Sequence, residues 1–164
     1  MNAIQQAMLQ AAEDVFASAA FMFPAEAPAE AGASQPTVQA VARFSGPVNG
    51  ALLLSVPPDL AEPLARNMLG LDDQEPLPPE HAQDALAELL NVICGNLLPS
   101  ITSPHDVYDI QRPEVLDPQD RFCAPELPHE FHVPISLDQA QVDLTLLLDR
   151  LPCLAPAAAG GGGG

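Results

Sequence analysis

Apolar residues recur at helical spacing over residues 3–22, where Ile4, Ala7, Met8, Ala11, Val15, Ala19 and Met22 share one side. This spacing predicts an amphipathic helix. The pattern breaks at residues 24–36, PAEAPAEAGASQP, a Pro/Ala/Glu linker whose prolines prevent a helix from propagating. Alternation then takes over. In TVQAVARF the residues Val38, Ala40, Ala42 and Phe44 lie on one side, and ALLLSV follows after SGPVNG. We expect a β-hairpin with strands near 37–44 and 51–56, Asn49-Gly50 supplying the positive-φ residues of a tight reversal.

PPDLAEPLARNMLG reads as a short helix. Pro57 and Pro58 precede it, Asp59 favours its first turn, Pro63 is expected within that turn, and Gly70 closes it. After a loop at 71–79 a long helix is expected near 80–98, stopped by Pro99. The proline-rich stretch 102–130 predicts few regular elements; an insertion, a dimer contact and a loop over a site are all open to it. EFHVPIS and QVDLTLLLD predict two strands around 130–136 and 141–149, with LDQA as their turn. Residues 1–150 therefore read as a single α+β domain, an antiparallel sheet with helices packed on it, in two helix-then-strands halves at 3–56 and 80–149. Residues 151–164 read as a flexible Ala/Gly-rich tail.

Composition narrows the choice of partner. Five basic residues against 22 acidic ones give a net charge of −17, which repels phosphate backbones and anionic membranes. Aromatic residues are only 4% and Trp is absent, so base-stacking platforms are not available in number. Nucleic acid and membrane are thus excluded as expected partners, and a basic patch on a protein fits better. Cys94, Cys123 and Cys153 are odd in number and lack CxxC spacing, as expected of reduced thiols in a cytoplasmic protein. Met1–Phe23 lacks a basic segment and carries Glu13 and Asp14, unlike a secretory leader. No apolar run is long enough to span a bilayer.

The chemistry concentrates on the long helix. On a wheel of 100° per residue, Ala82, Ala85, Leu86, Leu89, Ile93 and Leu97 form one broad face. Asp84, Glu88, Asn91 and Gly95 fall on the other, within an arc of roughly 60°. A glycine inside a helix costs about 1 kcal/mol relative to alanine, and close approach of another backbone is one reason to accept that cost. Taken alone, the stripe also reads as an ordinary solvated helix face. Asn96 falls on the apolar side, where a buried hydrogen-bonding residue is expected, and Cys94 is expected to be a buried, inert thiol. His129 and His132 point to opposite faces of a strand and form no metal pair, so no metal ligands are assigned. His81 and His105 read as solvated, and Ser100, Ser103 and His105 do not form a triad.

Asp84-xxx-Glu88-xx-Asn91 resembles the Asp/Ser-xxx-Glu-xx-Asn signature of the CheC/CheX/FliY family of chemotaxis phosphatases. Pro113 stands close to the place of that signature's distal proline. LNVICGN looks like the CheX version of the helix, and FSGPVNGALLLSV before NMLG looks like the family's hairpin-then-helix. CheC-type members carry a second copy of the motif on the first helix. Here Glu13 is followed three residues later by Phe16, as in the CheX type with one catalytic helix per subunit. The resemblance spans residues 3 to about 150 and implies a CheC-like fold. It implies hydrolysis of the aspartyl phosphate of a CheY-like response regulator, ending a chemotaxis or related two-component signal. In that reading Asn91 orients the water, Glu88 pairs with the regulator's active-site lysine, and Asp84 and Gly95 lie in the contact surface. This chain holds no cofactor of its own; Mg2+ sits in the regulator. A homodimer is implied too. The alternative is a non-catalytic module that docks a response regulator or a flagellar-switch component.

Overall fold

The computed structural model describes residues 1–25, 37–117, 119–138 and 140–152. The tail from residue 153 onward and most of the expected linker, residues 26–36, lie outside them. Helix α1 (Ala3–Ala20) opens with a reciprocal capping box. Asn2 Oδ1 accepts from Gln5 N at 2.8 Å, and Gln5 Oε1 accepts from Asn2 N at 3.0 Å. The helix ends two residues before its apolar pattern does, because Phe21 turns left-handed at φ 55°. Asn67 Nδ2 then donates to the freed Ala20 carbonyl at 2.8 Å. The linker's first residues are held on the sheet: Pro24 bridges Leu137, and Ala25 N donates to Ser136 O at 2.9 Å.

β1 (Val38–Ser45) and β2 (Gly50–Val56) form the expected hairpin, but not by the expected turn. Among the described residues only Phe21 and Gly70 have positive φ, so Asn49 and Gly50 do not make a tight reversal. Gly50 is a strand residue opposite Phe44, and it is glycine for want of space: a Cβ would lie 2.1 Å from the Leu147 carbonyl oxygen. Asn49 clamps the turn instead. Its Oδ1 accepts from Gly46 N at 3.2 Å, and its N and Nδ2 donate to the Asp149 carboxylate at 3.0 and 3.1 Å.

The prolines interrupt less than the sequence suggests. In α2 (Pro58–Leu69) Pro63 lies in the second turn rather than the first. It removes only the bond to the carbonyl of the exposed Asp59, and Gly70 closes the helix at φ 69°. α3 (Pro79–Ile101) does not stop at Pro99. That residue's missing N–H leaves the Gly95 carbonyl without its helical donor, and the helix runs on to Ile101. Side-chain hydroxyls satisfy the last turn: Ser100 Oγ donates to Leu97 O at 2.6 Å and Thr102 Oγ1 to Leu98 O at 3.1 Å.

β3 (Asp109–Ile110) and β4 (Glu114–Val115) are short strands within the proline-rich stretch, and β5 (His129–Ser136) and β6 (Gln141–Leu148) close the fold. The antiparallel sheet runs β3-β1-β2-β6-β5, with β4 also on β1. Its helix-facing side, including Ala42, Phe44, Leu52, Leu54, Leu144 and Leu146, forms one core with Met8, Phe16, Leu86, Leu89, Ile93 and Leu97. Val41, Ala51 and Leu53 face the other way and are covered by Leu116, Phe122 and Leu127. The Arg43 guanidinium lies 4.7 Å from the centre of the Phe122 ring. The proline-rich stretch is thus the second cover of the sheet.

Along β1 the pairing slips by one residue. Phe44 faces Ile110, Gln111 N donates to Arg43 O at 2.8 Å, and Val41 faces Glu114. Arg112 and Pro113 therefore both oppose Ala42, which is a β-bulge. Pro113 lacks an N–H for the ladder, so the interruption falls there.

Candidate functional site

The bulge and α3 face one another. Asp84, Glu88 and Asn91 line an open groove of about 760 Å³ together with Met68, Leu69, His81, Ile110, Arg112 and Pro113. Three parts of the chain therefore build it: the end of α2, the exposed stripe of α3, and the bulge. Met68, Leu69, Ile110 and Pro113 supply apolar surface, and the polar groups project from α3 and from Arg112. The groove is open rather than enclosed, as a surface that meets a folded partner is.

The stripe predicted on the wheel is real. Asp84, Glu88 and Gly95 are exposed and Asn91 is half-buried, while Ala85, Leu86, Leu89, Ile93 and Leu97 are buried. Among the described residues neither Glu88 nor Asn91 has a hydrogen-bonding or ionic side-chain partner, whereas Asp84 Oδ1 lies 3.6 Å from Arg112 Nη2. Gly95 is not part of the groove lining, and a Cβ placed on it would meet nothing within 4 Å. No packing among the described residues requires glycine there.

Asn96 is a correction. It is exposed, not buried, because the helix rests on the sheet through Ile93, Cys94, Leu97 and Leu98 and turns position 96 to solvent. Cys94 is fully buried, and that burial pushes its thiol up to about 12, so it carries no thiolate near neutrality. His132 Nε2 lies 3.0 Å from Asp143 Oδ1 across the β5–β6 pair. Among the described residues no three His, Cys, Asp or Glu converge as a metal site. Sequence reasoning missed Arg112, Met68 and Leu69 as groove residues. For Arg112 the signal was its place beside Pro113, the proline matched to the family signature.

Among the described residues, an antiparallel sheet carrying three helices on one face, with a groove along the longest, defines an α+β protein of the CheC-like class. Residues 38–140 match the family model of the chemotaxis phosphatase CheX, and the chain belongs to that family. Its fold is similar to that of chemotaxis protein CheX from Desulfovibrio desulfuricans. There the TM-score is 0.71 at 18% identity, over 88% of this chain and 98% of the other. It is also similar to the CheX–CheY–BeF3–Mg2+ complex from Borrelia burgdorferi, with a TM-score of 0.63 at 18% identity over 88% and 97% of the chains. FliY from Thermotoga maritima gives 0.52 at 14% identity over 90% and 84%. No curated protein sequence matches the chain. No helix of the described residues is long and apolar enough to cross a membrane.

Proposed function

We propose that this chain hydrolyses the aspartyl phosphate of a CheY-like response regulator and so ends a chemotaxis or related two-component signal. The observation that carries the reading is the pair Glu88 and Asn91, one turn apart on α3, opening on one groove with no side-chain partner of their own among the described residues. The family's description as a chemotaxis phosphatase supports it, and so does the likeness to a CheX–CheY complex.

An acyl phosphate is already reactive, so catalysis reduces to placing a water in line and stabilising charge. Asn91 suits the first task. Its amide donates and accepts without depending on a protonation state. Glu88 offers a carboxylate to the regulator's lysine, which sets Asn91 in register. Asp84 and Gly95 complete the contact surface. The Mg2+ that phosphoryl chemistry requires is held by the regulator, whose acidic pocket supplies the oxygen ligands. The protein acts in this reading as a cytoplasmic homodimer; light scattering on the purified chain tests the oligomeric state.

The functional test is phosphate loss from a panel of phosphorylated receiver domains of the same cell with wild type, Glu88→Ala and Asn91→Ala. Acceleration by wild type alone supports the assignment. Binding without acceleration replaces it with a docking module.

A further inference from the structure

Building on the phosphatase reading, we propose that Arg112 recognises an anionic oxygen in the partner's acidic active site, exchanging Asp84 for that oxygen when the complex forms. The chain has a charge problem to solve. It carries a net charge of −17 with five basic residues, all arginine, so the approach of an acidic site bearing a phosphoryl group is opposed by like charge. Of these arginines only Arg112 lines the groove. Arg43 is stacked on Phe122. Arg66 is engaged by Glu62 and by the carbonyls of Asp72 and Glu75. Arg150 lies beside Asp149, and Arg121 is exposed on the segment that covers the far side of the sheet.

The backbone aims Arg112 at the site. Ile110 lies opposite the core residue Phe44, and strand alternation puts Arg112 on the same, α3-facing side. The bulge it shares with the buried Pro113 stops the ladder there and fixes the point from which the side chain leaves. The guanidinium is held loosely. Its side chain is 84% exposed, and its 3.6 Å separation from Asp84 is longer than a good charge-assisted hydrogen bond. An exposed pair of this kind contributes little on its own and exchanges readily. While it lasts it neutralises one of two carboxylates a turn apart, leaving Glu88 as the unpaired one.

The test compares wild type, Arg112→Gln, Arg112→Lys and Arg121→Gln, the last making the same change of net charge away from the groove. Phosphate-loss kinetics and affinity are measured with phosphorylated and unphosphorylated receiver at low and moderate salt. We expect Arg112→Gln to raise KM about tenfold, to shift the salt dependence toward tighter binding as salt is added, and to leave kcat near wild type. Arg112→Lys retains part of the effect, and Arg121→Gln behaves as wild type. Weakening confined to the phosphorylated form identifies a phosphoryl oxygen as the contact; equal weakening of both forms identifies a partner carboxylate. Arg112→Gln matching Arg121→Gln in KM, affinity and salt dependence, with an active wild type, overturns the assignment while leaving the phosphatase reading intact. A wild type that binds and accelerates no receiver overturns both.

Discussion

Asn91 on α3 and Pro113 in the β1–β4 bulge line the same groove, although they are distant in sequence. Pro113 is buried there and denies the ladder an N–H. Pro113→Ala restores that N–H and lets the bulge relax away from α3. We expect a stability loss of about 1 kcal/mol, from a freer unfolded chain and lost buried surface. The groove should lose partner affinity, so KM for phosphate loss rises several-fold. Urea unfolding and the receiver-concentration dependence of the rate check the two effects.

Gly95 separates stability from docking. Among the described residues nothing lies within 4 Å of its missing Cβ, and it sits inside α3. Gly95→Ala should therefore stabilise the isolated protein by about 1 kcal/mol. The same site filled with Trp should leave the fold intact and block the receiver. A urea midpoint that rises for alanine, with binding lost for tryptophan, is the expected pair of results.

Gly50 predicts the opposite. Its Cβ would lie 2.1 Å from the Leu147 carbonyl oxygen and 2.8 Å from Phe44 Cζ. Gly50→Ala must push β2 from β6 or displace a core aromatic, costing about 3 kcal/mol. Denaturant unfolding measures it. An unchanged midpoint would show that the strand pair is less tightly spaced than described.

Cys94 links stability to pH. Burial raises its thiol from an ordinary 9.0 to about 12 in the folded chain. Above the unfolded value the unfolded state releases a proton that the native state keeps, so stability falls as pH rises from about 9 toward 12. The slope from this thiol approaches about 1.4 kcal/mol per pH unit, and the contribution is fully present below pH 9. Cys94→Ala should lack that alkaline slope. A thiol reagent near neutrality should label Cys123, which is exposed, well before Cys94.

The sequence made legible what periodicity controls. The stripe of α1, the alternation in β1 and the Asp84–Glu88–Asn91 arc on α3 are repeats of a local rule, and the structure keeps them. It hid what packing overrides. Pro99 reads as a stop, yet Leu97, Leu98 and Ile101 are buried on either side of it, and that burial outweighs one lost hydrogen bond. Asn49-Gly50 reads as a tight turn, while Leu147 in β6 and Asp149 just past its end determine what those residues do. β3 and β4 are too short to leave a pattern and exist only because β1 has a free edge. The far walls of the groove, Leu69 and Arg112, reach it only through tertiary packing, α2 against α3 for the first and the sheet edge for the second.

The most direct test is the rate of phosphate loss from one phosphorylated receiver saturated with Asn91→Ala, with complex formation measured in the same sample. The proposed role of Asn91 predicts a complex of near wild-type affinity whose phosphate is lost at the receiver's own spontaneous rate. Wild-type acceleration by Asn91→Ala would contradict the water-orienting role and remove the basis for placing the chemistry on α3.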